Sequence, residues 1–475
     1  MAETLTPDIC VIGAGSGGLS VAAAAAALGV SCVLIERGEM GGDCLNAGCV
    51  PSKALIAASK RAAIAHGADP FGVHTTVDVH FSKVHDHIQH VIAAIAPNDS
   101  AERFSGLGVQ VIKGEAAFKD GNTIVVGNAH EIRARYFVIA TGSKPLVPPI
   151  EGLDKGPYLT NETIFNLTER PRHLVIVGAG AVGLEIAQAF RRLGSEVTVL
   201  EAATPLAKDD PEAAAIVLAQ LEREGVVLRS GVQVTRVDYI AHSALVHFMG
   251  PNGEEKAEGS HLLVATGRKA SLASLNLDAA GIKHDATGVI VKRNLKTSNQ
   301  RVYAIGDAAA GQAQFTHAAN YHAGIVIKNA LFHLPVRASN DEIPWVTFTD
   351  PELAQAGLTE AEARKQYRAI RILRWPYHDN DRAQTERATH GHIKVICDKK
   401  GRILGVTIVG AEAGELLSMW VLAIAQKLNI RALTGIVLPY PTLSEIGKRA
   451  AIDFFTPSLG SPILRRILGW LRIFG

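Results

Sequence analysis

Apolar runs in this chain are short, closely spaced and punctuated by small residues. Residues 8–12, Asp-Ile-Cys-Val-Ile, have the length and character of one buried strand. Gly13-Ala14-Gly15-Ser16-Gly17-Gly18 follows, and the alanine-rich stretch from Leu19 to Leu28 predicts a helix. Gly29 ends it, and Ser31 to Ile35 predicts a second strand that finishes at Glu36. The order then returns. His173 to Val177 predicts a strand, Gly178-Ala179-Gly180-Ala181-Val182-Gly183 a turn, and Leu184 to Leu193 a helix stopped by Gly194. Glu196 to Leu200 predicts the next strand, ending at Glu201. Two more runs echo one another, Phe137-Val138-Ile139-Ala140-Thr141-Gly142 and Leu262-Leu263-Val264-Ala265-Thr266-Gly267. Each is an apolar strand closing on small residues, which puts Thr141, Gly142 and Gly267 where a strand tip meets a nucleotide.

The spacing has a physical reading. Gly13 and Gly178 permit the tight turn, Gly15 and Gly180 let backbone approach a pyrophosphate, and Gly18 and Gly183 let a helix lie close on the sheet. The helix N-terminus offers free N–H groups to the phosphates. Glu36 lies 18 residues after Gly18, and Glu201 lies 18 after Gly183. Both acids are placed to accept hydrogen bonds from a ribose diol. One such fingerprint is weak evidence, but two in matching strand–helix contexts are strong. Glu201 favours a ribose 2′-hydroxyl over a 2′-phosphate, and residues 202–207 include no Arg to hold that phosphate, although Lys208 follows. NADH is therefore favoured over NADPH at the second fingerprint.

Composition narrows the classes. A chain of 475 residues suggests roughly three domains. Hydrophobic residues at 47% and charged residues at 20% fit a globular protein with a sizeable core. The formal net charge of +2 provides no basic field for nucleic acid. No run of about 20 apolar residues predicts a membrane span, and the N-terminus lacks a signal-peptide pattern. The expected compartment is the cytoplasm.

Five cysteines occur, of which Cys10, Cys32 and Cys397 sit in apolar runs and read as core. Cys44 and Cys49, four residues between them, stand in Gly41-Gly42-Asp43-Cys44-Leu45-Asn46-Ala47-Gly48-Cys49-Val50-Pro51-Ser52-Lys53. A helix is predicted to begin there and run through Ala54 to Ala65. The pair can meet with a local distortion. A helix N-terminus would lower the Cys49 thiol pKa, and Lys53, one turn on, could stabilise a thiolate. A zinc site would need further ligands, and none lies near in sequence.

This segment resembles the redox-active segment of the class I pyridine nucleotide–disulfide oxidoreductases, a family that includes dihydrolipoyl dehydrogenase, glutathione reductase and mercuric reductase. The resemblance covers nearly the whole chain. Tyr303-Ala304-Ile305-Gly306-Asp307 resembles the family's second FAD motif, and Val346-Thr347-Phe348-Thr349-Asp350-Pro351-Glu352 the opening of its dimerisation domain. The resemblance implies an α/β fold of two Rossmann-like FAD- and NAD(P)-binding domains with a C-terminal α/β dimerisation domain. It implies FAD on the first fingerprint, NAD(P)H on the second, and a homodimer. The implied domains are an FAD part at 1–150, an NAD part at 151–270, a second FAD part at 271–335, a dimerisation domain at 336–457 and a basic amphipathic tail at 458–475. Electrons are implied to pass from NADH by way of flavin to a Cys44–Cys49 disulfide, with Cys49 against flavin and Cys44 exchanging with substrate. Glu185 matches a family Glu near the nicotinamide, where it can pair with Lys53. His317 falls where the family approaches the flavin pyrimidine edge, with helix capping as the plain alternative.

The pattern departs from the thiol-disulfide members at Leu438-Pro439-Tyr440-Pro441-Thr442-Leu443-Ser444-Glu445. Those members carry His before Pro-Thr and a Glu five residues later, supplied by the partner subunit for proton transfer. Here Tyr440 holds the His position and Glu445 remains. A Tyr does not titrate near neutral pH, and loss of positioned acid–base help costs about 10²–10⁴ in rate. Tyr440 is similar to mercuric reductase, whose substrate is a thiolate-bound metal. No Cys follows Cys397, unlike the C-terminal pair of that family. The expected function is thus a mercuric-reductase-like flavoenzyme acting on a disulfide or a thiolate-bound metal. The alternatives are a dihydrolipoyl dehydrogenase, or a membrane-attached redox partner for a protein disulfide or quinone.

Two regions remain. His80, His85, His87 and His90 cluster, and Ser82 predicts the N-cap of a long surface helix whose solvated face would carry them. Near the end, Ser461 is predicted to cap and Pro462 to open a helix over Ile463 to Phe474. Its apolar stripe, with Arg465, Arg466 and Arg472 beside it, could lie in a membrane interface at the inner face of a membrane or pack on protein.

Overall fold

The computed structural model describes residues 3–241, 243–251, 253–341, 343–459 and 461–473. The chain forms two compact units, residues 1–202 with 227–340, and residues 203–226 with 341–475.

The first unit holds two parallel sheets of one design. One runs Val302–Ala304, Tyr136–Ile139, Ile9–Ile12, Cys32–Glu36, Gln110–Lys113 in spatial order, every pairing parallel. Its central strand Ile9–Ile12 is apolar and buried throughout because both faces are covered. Cys10, Ile12, Val33, Ile35, Phe137 and Ile139 enter one core cluster, shared with Phe118 and Ile124 of a small four-stranded sheet. Ile9, Val11, Cys32, Leu34 and Val138 enter the opposite cluster, shared with the helices Ser16–Ala27 and Thr316–Ala330. The second sheet runs Val227–Ser230, Glu196–Glu201, His173–Val177, His261–Val264, again all parallel. An antiparallel sheet of three strands, Gln233–Ile240, Ser243–Gly250 and Gly253–Gly259, shares its core through Val237, Val246 and Val175.

Both fingerprint helices begin earlier than predicted, at Ser16 and Ala181 rather than Leu19 and Leu184, and end at Ala27 and Arg192. Glycine weakens a helix interior, so the sequence pattern starts each helix after the last glycine. The structure keeps Gly18 and Gly183 within the first turn because only hydrogen fits. A Cβ at Gly18 would lie 1.9 Å from the Gly13 carbonyl oxygen, and one at Gly183 2.1 Å from that of Gly178. The helix predicted to open at Ser82 instead spans Phe81–Ile95 with His80 at the N-cap. Burial decides this: the Phe81 ring packs 5.7 Å from that of Phe190, while Ser82 is exposed.

The second unit is built on an antiparallel sheet ordered Trp345–Thr347, Glu352–Gly357, Ile403–Gly410, His392–Asp398, Ile370–Pro376. The helices Ala413–Ala425 and Glu445–Asp453 cover it through Trp420, Leu417, Ile446 and Ala450. The helix Pro211–Arg223 also belongs to this unit, and its N-cap Asp210 receives Lys394 Nζ at 2.8 Å. Lys394, 3% exposed, also meets Glu212 at 2.9 Å and Glu360 at 3.1 Å, so its charge is paired rather than stranded. The tail helix spans Pro462–Leu471. Ser461 occupies its N-cap position, but its side chain makes no capping hydrogen bond, contrary to expectation. Phe474 and Gly475 lie outside the described residues.

Candidate active site

Each fingerprint is a backbone cradle. Gly13 and Gly178 turn at φ +102° and +110°, and a Cβ on either would strike a neighbouring carbonyl, Ala140 O at 2.5 Å or Ala265 O at 2.4 Å. The middle glycines are different. A Cβ at Gly180 would meet nothing within 4 Å, and one at Gly15 only Gly42 Cα at 4.0 Å. No packing within the protein demands glycine at these two positions, and the open space leaves the backbone accessible to a ligand. The acids predicted to meet ribose also brace the cradles. Glu36 Oε2 accepts the Ala14 amide at 2.6 Å, and Glu201 Oε2 accepts the Ala179 amide at 2.6 Å. Beside the first cradle, Thr141 Oγ1 is enclosed without a hydrogen-bond partner among the described residues. An orphaned hydroxyl at a strand tip fits a polar ligand there. Gly142 and Gly267 close the strand tips at φ +63° and +123°, with open space on their Cβ sides.

The redox segment departs from one long helix. A short helix, Gly42–Asn46, carries Cys44, and Cys49 is the first residue of the helix Cys49–His66. Asn46 pins the turn, its Nδ2 donating to Met40 O at 3.0 Å and Gly42 O at 2.9 Å. Both cysteines are free thiols in this structure. Cys44 donates to Cys49, and this bond, joined by the Thr316 hydroxyl 3.4 Å from Cys49 Sγ and by the charge of Lys53, holds the Cys49 thiol down to about 6. The Cys44 thiol is pushed well up, first by holding that proton for Cys49 and then by burial. The negative charge of the dithiol therefore resides on Cys49.

Lys53 Nζ donates to Glu185 Oε2 at 2.8 Å. Glu185 is 5% exposed, not a surface helix residue. The structure thus brings Cys44, Cys49, Lys53 and Glu185 together within the first unit. His317 lies in the first turn of Thr316–Ala330, stacked on Phe315 with ring centroids 5.2 Å apart. The capping alternative fails for it, because the N-cap is Phe315.

Two residues escaped sequence reasoning. Thr316 was hidden beside His317; only the approach of two helix N-termini reveals its hydroxyl at Cys49. Arg268, just after the Ala265-Thr266-Gly267 turn, is the other. Its Nε donates to Ser143 Oγ at 2.7 Å, its Nη1 to Asn161 Oδ1 at 3.3 Å, and its Nη2 sits 3.3 Å from Asp43 Oδ2. Ser143 Oγ in turn donates to Asp307 Oδ2 at 2.6 Å, and burial pushes the Asp307 carboxyl up. One guanidinium so links the residue preceding Cys44 to Asp307. A spacing signal existed, since an Arg follows the second Ala-Thr-Gly echo, but its partners are 107 or more residues away for Asn161, Ser143 and Asp43.

Tyr440 and Glu445 belong to the second unit. Tyr440 is 71% exposed, and its hydroxyl donates to Asp381 Oδ2 at 2.7 Å. That carboxylate holds the phenol above its ordinary value. Asn380 fixes the segment by donating to Thr442 O at 3.0 Å. Glu445 opens the helix Glu445–Asp453. His87 and His90 face solvent, and among the described residues no group of three or more His, Cys, Asp or Glu is arranged to hold a metal ion.

Residues 7–323 match the family described as "Pyridine nucleotide-disulphide oxidoreductase", and residues 343–451 match its dimerisation domain. The chain belongs to the pyridine nucleotide-disulphide oxidoreductases. It is 34% identical to a mercuric reductase of Bacillus cereus over 452 residues, covering 94% of this chain and 71% of that protein. It is 35% identical to a dihydrolipoyl dehydrogenase of Thermus scotoductus over 454 residues, covering 93% and 95%. The Cu(II) complex of the HOCl-induced flavoprotein disulfide reductase RclA from Escherichia coli superposes with a TM-score of 0.83 at 27% identity, covering 94% and 99%. The protein is an NAD(P)H-dependent flavoprotein disulfide reductase of the mercuric reductase and lipoamide dehydrogenase type, with the α/β fold that the sequence resemblance implied. FAD and NAD(P)H are the family's cofactors, and the dimerisation domain is present.

Proposed function

We propose that this enzyme draws electrons from NADH and delivers them through Cys44 and Cys49 to a soft metal ion carried by thiolates. The observation that supports the reading is the dithiol itself: Cys44 keeps a proton, and Cys49 bears the charge beside Thr316 and Lys53. In the first cradle, Gly13, Gly15, Gly18, Glu36, Thr141, Gly142 and Asp307 would hold FAD; in the second, Gly178, Gly180, Gly183, Glu201 and Gly267 would hold NADH. Bound FAD would supply the conversion of a hydride into a transferable electron pair. We assign residues 1–150 and 271–335 to the FAD part, 151–270 to the NAD part and 336–457 to dimerisation.

The residues of the chain account for the remaining chemistry. Two electrons and one proton open a Cys44–Cys49 disulfide to a Cys44 thiol and a Cys49 thiolate. Returning the pair to a divalent soft cation re-forms the S–S bond, reduces the metal by two electrons and releases the Cys44 proton. Lys53 offsets the thiolate charge, and Glu185 orients Lys53. Tyr440, paired with Asp381, is a poor proton carrier at neutral pH, which disfavours disulfide exchange far more than transfer of a cation between thiolates. We read Tyr440 and Glu445 as acting across a homodimer interface, and His317 as lying near the cofactor. A cytoplasmic setting suits a dithiol that must return to the reduced state.

The test is NADH oxidation by the holoenzyme with Hg(II) in excess thiol, lipoamide, glutathione disulfide and a quinone. Hg(II) should exceed lipoamide at least tenfold in kcat/KM. Tyr440→His should raise lipoamide turnover roughly tenfold or more. Preference of the wild type for lipoamide would establish the dihydrolipoyl dehydrogenase alternative instead.

A further inference from the structure

None of the residues of the helix Pro462–Leu471 is buried by the chain. At about 100° per residue, Ile463, Leu464, Ile467, Leu468, Trp470 and Leu471 share an arc of about 160°. Arg465, Arg466 and Arg472 fall on the remainder. Large apolar side chains stand in solvent: Ile463 is 70% exposed, Trp470 62% and Ile473 75%. No Asp or Glu follows Asp453, so no acid in the tail offsets the three arginines. The matched dimerisation domain ends at residue 451, so this helix lies beyond the matched residues.

An apolar arc of this width gains by leaving water, and the charge says where it goes. Guanidinium groups flanking an apolar face complement lipid phosphates, while the aliphatic side chains and a Trp enter the boundary between headgroups and acyl chains. An anionic bilayer meets the apolar arc and the flanking arginines at once, with acyl chains for the one and phosphates for the other. Ten residues span about 15 Å, half of a hydrocarbon core of about 30 Å, and among the described residues no helix is long and apolar enough to cross a membrane. We propose that residues 461–473 dock the enzyme peripherally on an anionic phospholipid surface, with the helix lying in the plane of the interface. The proposal goes beyond the assigned reaction and does not depend on its acceptor.

The experiment is flotation of the full-length holoenzyme with phosphatidylglycerol-containing vesicles and with pure phosphatidylcholine vesicles, at low and high salt. The holoenzyme should float with the anionic vesicles and lose most of that binding on pure phosphatidylcholine or in high salt. Neutralising the arginines, R465Q/R466Q/R472Q, should cut the partition coefficient by roughly 10²-fold, and I467D/L471D should abolish flotation. Retained flavin absorbance shows that these variants are folded. Absence of flotation, flotation indifferent to the arginines, or a change in oligomeric mass in I467D/L471D would overturn the proposal; the last would mean that a second copy covers the helix.

Discussion

The two glycine cradles differ less than the segments that leave them. Each turns on a positive-φ glycine and closes on a third that tolerates no Cβ, and each is braced by a carboxylate 2.6 Å from a turn amide. After Glu36 the chain continues through Arg37 and Gly38 into the two helices that carry Cys44 and Cys49. After Glu201 no cysteine stands near the cradle, the next being the buried Cys397, and the chain passes at Ala203 into the second unit. The cradle is a backbone device that can be used twice; the appended side chains decide which cradle serves the redox pair.

The sharpest way to break this comparison is to fill each cradle in turn. Gly15→Val should give colourless protein that retains no FAD. Gly180→Val should stay yellow and raise KM for NADH at least ~10-fold. Equal loss of flavin in both variants, read by absorbance, would erase the distinction between the sites. Next in size, Cys49→Ser should cut metal-ion reduction by about 10³-fold or more while NADH still bleaches the flavin. The long-wavelength thiolate–flavin absorbance should vanish, and its persistence would move the thiolate to Cys44. At the second cradle, Glu201→Ala should narrow the NADH-over-NADPH preference in kcat/KM by about tenfold.

The smallest expected effect concerns the thiolate. In the reduced enzyme, rapid alkylation should titrate with a midpoint of about 6, the value of Cys49. Removing a group that favours the anion raises that midpoint, so thiolate is lost just above pH 6 and alkylation at pH 6.5 slows. Thr316→Val should shift the midpoint by about one unit and Lys53→Met by less, in the same direction. An unmoved midpoint in both variants would leave the Cys44 hydrogen bond as the sole support of the thiolate.

Much of the site was legible in sequence because its parts are local. Gly13 through Glu36 and Gly178 through Glu201 each form one strand–turn–helix–strand unit, and short-range sterics dictate it. The boundaries failed where a tertiary contact outweighed a local preference. Gly18 and Gly183 sit within helices because a carbonyl crowds them, and Phe81 rather than Ser82 opens its helix because Phe190 receives its ring.

The sequence by itself determined that two dinucleotide cradles and one cysteine pair occur in this chain, because periodicity, glycine sterics and spacing act over a few residues. Only the tertiary structure decided which groups govern the pair. Thr316 reaches Cys49 across 267 positions and Arg268 reaches Ser143, the partner of Asp307, across 125, whereas the pairing of Glu185 with Lys53 across 132 positions was already implied by the family resemblance. Such contacts leave no periodic trace, because sheet order, and not chain order, sets which side chains become neighbours.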